Sequence, residues 1–400
     1  MPSVCFYFQV HQPYRLRRYQ VFEIGNNRDY FDHEKNEAIM RKVAKKCYLP
    51  ANKLILDLIN RYDGRFKVSY SITGIALDQF EEYIPEVTDT FIDLVETGCV
   101  ELMDETYHHS LAFLYSEDEF KEQVKLHRKK MKEIFNYKPR VFRNTELIYN
   151  NRLAHLAEEM GYDGILAEGA DYILGWRSPN FLYRPKTTEK IKLLLKNYRL
   201  SDDIAFRFSE RSWESWPLSA DKFASWVNAA NGNGHVINLF MDYETFGEHQ
   251  WEDTGIFEFM RHLPAEILKH PDNNFMTPSE VIDAYEPLGE LDVHNVVSWA
   301  DIERDLSAWL GNKMQQSAIE KLYELERDVK KSGDKKLLEN WRKMQITDHF
   351  YYMCTKWFND GDVHKYFNAY DRPHDSFIAF MNVLSDFKMR LENKMVGLPS

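Results

Sequence analysis

Cysteine is scarce in this chain and nowhere clustered. The four present, Cys5, Cys47, Cys99 and Cys354, stand far apart with no C-x-x-C pair, so neither a zinc site nor a disulfide framework is indicated, and a reducing compartment fits best. Long apolar runs are absent as well. No stretch approaches the ~18 uninterrupted apolar residues of a membrane span, and no membrane partner is expected. Positive charge is in deficit: 51 Lys and Arg face 63 Asp and Glu, a formal balance of −12. A phosphate-backbone partner draws its affinity from clustered Lys and Arg, so no nucleic-acid partner is expected either. The N-terminus lacks a charged leader followed by an apolar segment and a small-residue cleavage site, which makes cytoplasmic residence the expectation. No G-x-G-x-x-G follows the first apolar run and no Walker signature occurs, which disfavours a dinucleotide or nucleotide fold.

What remains is a long chain with a regular alternation. Apolar residues make up 44% of the 400 and charged residues 28%, enough for a large core and more than one ordinary domain of ~100–200 residues. Residues 4–10 read as a strand nearly continuous in apolar side chains, as strands buried on both faces are, and Pro13 ends it. After a long polar stretch, Leu54, Ile55, Leu58 and Ile59 fall at helical spacing. Further strands are expected at 66–72, 99–103, 141–143, 164–167 and 236–241, and helices around 91–95, 117–135, 153–160 and 223–230. Between 170 and 210, either 191–198 or 204–208 supplies a sixth strand. Seven strands alternating with helices predict a parallel sheet with polar groups gathered at one face. The fold class expected is α/β, an incomplete seven-stranded parallel (β/α)7 TIM-like barrel, with an open doubly wound sheet as the alternative. From about Asp301 the spacing turns helical, through Ala318, Leu322, Leu325 and Val329, then Phe350, Cys354 and Trp357, then Phe377, Met381, Leu384 and Phe387. A barrel over 1–300 and an α-helical subdomain over 301–400 follow.

The chain is organised around Asn238-Leu239-Phe240-Met241-Asp242-Tyr243-Glu244-Thr245-Phe246-Gly247-Glu248-His249. Its apolar strand ends in three carboxylates, a glycine and a histidine. Carboxylates are expensive to bury unpaired, so such a cluster at a strand exit points to a site at the strand's C-terminal mouth. Other strand exits carry Glu101, Asp104, Glu105, Glu146 and Glu168. On strand geometry alone Asp242 and Glu244, two apart, point to one face. Two carboxyl groups flanking a bond are what glycoside cleavage requires, and an aromatic content of 14% offers flat faces on which sugar rings stack. Pattern alone does not choose the pair.

Five stretches taken together resemble the conserved regions of glycoside hydrolase family 57: His11-Gln12-Pro13, Gly98-Cys99-Val100-Glu101, Asn144-Thr145-Glu146-Leu147, Asp242-Tyr243-Glu244-Thr245-Phe246-Gly247 and the run from Ser298 to Asn312. The family's members are retaining α-glucan-active enzymes on a (β/α)7 barrel with a helical extension. The resemblance implies Glu146 as nucleophile and Asp242 as general acid/base, their carboxyl groups roughly 5 to 5.5 Å apart as in retaining pairs. Glu244 beside Asp242 would help the acid keep its proton. Substrate contacts are expected from His11, Glu101, Tyr243, Glu244, Trp299 and Trp309; packing is the competing reading for both tryptophans and Tyr243. His108 and His109 receive no role. The wider group of seven-stranded barrels that the family resembles includes metal-dependent enzymes, but neither a T-F-D-D-G run nor an H-S-x-x-x-H is present, so no metal and no cofactor is expected.

The function expected is therefore intracellular, retaining hydrolysis of α-1,4-glucosidic bonds in malto-oligosaccharides, glycogen or starch. A 4-α-glucanotransferase or branching enzyme is the first alternative, a non-catalytic glucan-binding protein the second. Cys99 stands where many members of the family carry glutamine, and no β-rich region follows the helical part; these departures favour the hydrolase.

Overall fold

The computed structural model describes residues 2–356 and 370–397. The chain divides into two compact units. The first comprises Met1–His11, Ile39–Glu105 and Val124–Trp299, the second Gln12–Ala38, Thr106–Gln123 and Ala300–Ser400. Segments 12–38 and 106–123, which the sequence division assigned to 1–300, thus cluster with the C-terminal helices.

Nine strands occur among the described residues: β1 (Ser3–Val10), β2 (Val68–Ile72), β3 (Val100–Leu102), β4 (Val141–Arg143), β5 (Gly164–Glu168), β6 (Tyr183–Pro185), β7 (Lys192–Lys196), β8 (Val236–Asp242) and β9 (Gly289–Leu291). One sheet runs β3-β2-β1-β8, the other β4-β5-β7-β6-β9. All pairs are parallel except β6 with β7. Of the two candidates for a strand between 170 and 210, 191–198 supplies β7, while 204–208 begins inside the helix Tyr198–Ala205. Short main-chain bonds also link the two sheets: Asp104 N donates to Val141 O at 3.2 Å and Arg143 N to Asp104 O at 2.9 Å, while Asn197 N donates to Asn238 O at 2.9 Å.

β1 is buried along its whole length because both of its faces meet apolar partners. Cys5 and Tyr7 join a cluster with Val141, Leu166, Leu194, Val236 and Phe240. Phe6 and Phe8, on the alternate face, pack against Phe66, Phe275, Tyr70 and Tyr243. The polar stretch before the first expected helix is itself helical over His33–Val43, continues through one wide π turn at Ala44–Tyr48, and resumes over Leu49–Arg61. Pro50 accounts for the widening, since a proline ring clashes with the carbonyl four residues back, here that of Lys46.

The second unit is helical. Lys313–Glu324, Glu326–Ser332, Lys335–Lys343 and Pro373–Met395 are its main C-terminal elements, and Arg342 and Lys330 pair with buried Glu119 within it. Phe350 lies in the helix Thr347–Tyr351; Trp357, placed in the same spacing, lies outside the described residues. No described helix is long and apolar enough to cross a membrane.

Candidate active site

Along a strand, side chains that share a face recur every second residue. Tyr7, Val141, Leu166, Leu194 and Phe240 belong to the buried cluster of the first unit. Gln9, Arg143, Glu168, Lys196 and Asp242 each lie two residues further on and face the same way, at the C-terminal ends of β1, β4, β5, β7 and β8. An apolar layer therefore supports a charged one. Within it, Gln9 Nε2 donates to Glu105 Oε1 at 3.2 Å, Arg143 Nη1 stands 3.7 Å from Glu105 Oε2, and Lys196 Nζ lies 2.9 Å from Asp202 and 3.8 Å from Glu168. Arg143 is fully buried, yet none of its three guanidinium nitrogens has a hydrogen-bond partner. A buried cation without donors satisfied is costly to keep, which marks it as a group aimed at something other than the core.

Glu146 follows β4 in a short turn, Thr145–Leu147, with a left-handed backbone at φ 56° and ψ 27°; Leu147 follows at φ 50°. Non-glycine residues held there carry strain of about 1–3 kcal/mol, which persists where surrounding contacts enforce it. The enforcing contacts come from the segment after β9. Tyr149 and Val297 exchange main-chain bonds of 2.9 Å, and Trp299 N donates to Glu146 O at 3.1 Å. Trp299 Nε1 then donates to Glu146 Oε2 at 2.6 Å. Two cations stand near the indole, with Arg143 Cζ at 5.0 Å and Lys196 Nζ at 5.3 Å from the ring centre. Arg143 also approaches the Tyr7 ring, at 5.9 Å. Burial drives the Tyr7 phenol far above its usual range; Arg143 opposes this, while Glu105 and Asp242 reinforce it. Asp242, half-buried, pairs in register with Gln9 of β1.

Several expected contacts take other roles. The shared face of Asp242 and Glu244 does not form, because β8 stops at Asp242 and Tyr243–Thr245 is a 3-10 turn. The turn sends Glu244 away to accept a hydrogen bond from Tyr48. Tyr243 is a core residue, 1% exposed, packed against Phe8, Tyr48, Tyr70 and Phe91, with its hydroxyl donating to Asn52 at 2.7 Å. Glu101 is buried and accepts from the Ser279 amide at 2.8 Å and hydroxyl at 2.5 Å, so it serves the helix Pro278–Ala284. Burial nevertheless raises its pKa, the Ser279 bonds opposing. Trp309 is 1% exposed and packs inside the second unit. His108, in the same unit, is buried, and desolvation followed by the charges of Arg342 and Lys343 holds its pKa well below the usual value, so it stays neutral; His109 adopts a left-handed φ of 49°. His11 is half-buried, its Nδ1 3.2 Å from Thr73 Oγ1. Arg143 and Lys196 are the functional candidates that strand-exit carboxylates did not point to; an unexplained cation as the last inward position of an apolar strand was the available signal.

Among the described residues, no group of three or more His, Cys, Asp or Glu is placed to hold a metal ion. A cleft of about 790 Å³ opens at the opposite, N-terminal ends of the strands, beside Lys67, Phe275 and Glu280. Of its lining charges Lys67 pairs with Glu280, and Asp283 pairs with the neighbouring Arg140.

The model of glycosyl hydrolase family 57 matches residues 5–294. The chain is 50% identical over 398 residues to a putative alpha-amylase of Methanocaldococcus jannaschii, an alignment covering 96% of this chain and 84% of that relative. Among solved structures it is similar to the 4-alpha-glucanotransferase from Thermococcus litoralis, with a TM-score of 0.68 and 14% identity over 87% of this chain and 56% of that one. It is also similar to the GH57-type branching enzyme from Pyrococcus horikoshii, with a TM-score of 0.66 and 16% identity over 92% and 87%. At these identities the structural likeness is one of fold.

Proposed function

The chain belongs to glycosyl hydrolase family 57, and from that premise we propose that it is a retaining glycosidase of α-1,4-glucans, with Glu146 as nucleophile and Asp242 as general acid and base. The seven parallel strands β1–β5, β7 and β8 are read as one (β/α)7 barrel followed by a helical subdomain. The main-chain bonds of Asp104 with β4 and of Asn197 with β8 support that closure.

The observation that carries the assignment is the position of Arg143, which stands against the surroundings of both acids. It meets the Trp299 ring, whose N–H holds Glu146, and the ring of Tyr7, which stands two residues before Gln9, the register partner of Asp242. In the first step a Glu146 carboxylate oxygen attacks the anomeric carbon while Asp242 gives its proton to the departing glycosidic oxygen. In the second, Asp242 takes a proton from water, whose oxygen displaces Glu146 and frees the sugar with its configuration retained. The indole N–H favours the ionised form of Glu146 that attack requires. Arg143 offers unused donors to a hydroxyl of the bound sugar or to charge developing on it.

Incubation with pure maltoheptaose tests the reading, with product lengths resolved by chromatography and the first-formed anomer by NMR. Shorter α-anomeric products are expected; β-anomers first would overturn double displacement, and products longer than the substrate would replace hydrolysis by transfer. Glu146→Gln is expected to leave less than about one-thousandth of the turnover, and wild-type-like rates in that variant would remove Glu146 from the mechanism.

A further inference from the structure

Six large apolar side chains are exposed among the described residues of the first unit, and five of them are aromatic: Tyr172, Trp176, Phe206, Trp216 and Trp251, from 42% to 90% exposed. All five lie in the excursions that leave the C-terminal ends of β5, β7 and β8, the ends that carry Glu168, Lys196 and Asp242. None lies in the connections at the strands' opposite ends. The excursions are tied together. Asp171, next to Tyr172, accepts from Tyr198 Oη at 2.8 Å and from Arg199 at 3.2 Å, joining the excursion after β5 to the one after β7. Gln250, next to Trp251, donates to the Ala205 carbonyl at 2.9 Å, just before Phe206, joining the excursion after β8. We propose that these aromatics form a rim of binding platforms for the distal part of a long α-glucan chain; this rests on the reading above and specifies a polymeric substrate.

The chemistry selects that occupant. An exposed indole left in solvent has no packing reason to be there, and each of these five rings has a charged residue within two positions in the sequence (Asp171, Arg177, Arg207, Glu214 and Glu252), whereas the core of a protein interface is depleted of charge. Three carry a cation near the ring: Arg177 at 5.6 Å from Trp176, Arg211 at 5.8 Å from Trp216, and Lys46 at 5.2 Å from Trp251. A flat apolar face beside a long side chain rich in N–H donors suits a pyranose, which presents a C–H face and a girdle of hydroxyls. A polyanion would instead require clustered cations, and the chain carries a balance of −12.

The test separates binding from turnover. In a Glu146→Gln background, affinity for amylose is measured for the unaltered rim and for Trp176→Ala, Trp216→Ala and Trp251→Ala, with Trp→Phe at each position and thermal melts as controls for folding. Each alanine substitution is expected to weaken amylose binding by about 2- to 12-fold, the loss of one aromatic face contact, with Phe restoring most of it. In the otherwise native chain, the ratio of kcat/KM for amylose to that for maltotriose is expected to fall in the triple alanine variant. Unchanged amylose affinity in that triple variant overturns the rim while leaving the catalytic reading intact. Lost amylose affinity in a protein whose native chain cleaves no glucan upholds the rim and removes the catalytic reading.

Discussion

Trp299 meets Glu146 twice, once through its main-chain amide and once through its indole N–H at 2.6 Å, so its ring serves as a positioning element more than as a platform. Arg143 and Lys196 on the ring fix its orientation through charge that is screened little in a buried setting. Trp299→Phe keeps an aromatic ring beside the two cations and removes the donor. A hydrogen bond to a charged group is worth about 1.5–3 kcal/mol, so kcat should fall roughly 10- to 150-fold. A carboxylate deprived of a donor is easier to protonate, so the acid limb of the kcat/KM profile should also move to higher pH. A purely structural tryptophan would lower activity at all pH values alike. The pH–rate profile of this variant distinguishes the two.

The elements that hold the site depend on a few local devices. Gly247 adopts φ 107°, and a Cβ there would come within 2.0 Å of the Lys46 carbonyl in the wide turn that Pro50 imposes. Gly247→Ala should therefore destabilise the chain by about 2–5 kcal/mol through overpacking and backbone strain; an unchanged denaturation midpoint would refute this. His127, in the helix Glu117–Phe135, lies 2.9 Å from Asp104 Oδ1 and 2.8 Å from the Ile72 carbonyl, two acceptors that only a doubly protonated ring satisfies. Burial lowers its pKa, but the bond to Asp104 and the charges of Asp104 and Glu105 outweigh this and raise it. Its stabilising contribution is then complete below its ordinary value near 6.5 and is lost as pH rises through the folded-state value. Thermal melts of the parent chain should fall across that window, and those of His127→Gln should fall less steeply; equal slopes would show that His127 is not the titrating group. Such devices mark the border of what the sequence discloses. The strand at 141–143 and the helix at 117–135 were legible from apolar spacing, and the proposal of Glu146 and Asp242 rests on strand exits combined with family resemblance. The helix at 49–61 was legible in part from Leu54, Ile55, Leu58 and Ile59, but its continuation back through 33–48 was not, because a π turn shifts its apolar phase, and Glu244 was misdirected because strand alternation was continued one turn too far. Arg143 and Lys196 become meaningful only when β4 and β7 turn the same face inward, a fact of pairing that no local window contains.

At the scale of the whole molecule the deficit of positive charge bears on the substrate. With a balance of −12, the chain's long-range field repels anions and exerts no net pull on a neutral glucan, so the binding that precedes catalysis rests on short-range stacking and hydrogen bonds. The charges that matter, Arg143, Lys196, Glu105 and Glu168, are buried in pairs or against rings, where salt screens weakly. KM for a long maltodextrin should then change by less than about twofold between 50 and 500 mM sodium chloride, whereas a protein relying on several phosphate contacts loses about 10³–10⁵ in affinity between 50 and 200 mM. Initial rates over that range at fixed pH, on the uncharged maltodextrin and on one bearing phosphate esters, make the comparison. A KM for the neutral chain that climbs steeply with salt would mean that charge attraction drives substrate capture, and the stacking account of both the site and its rim would have to yield to an anionic ligand.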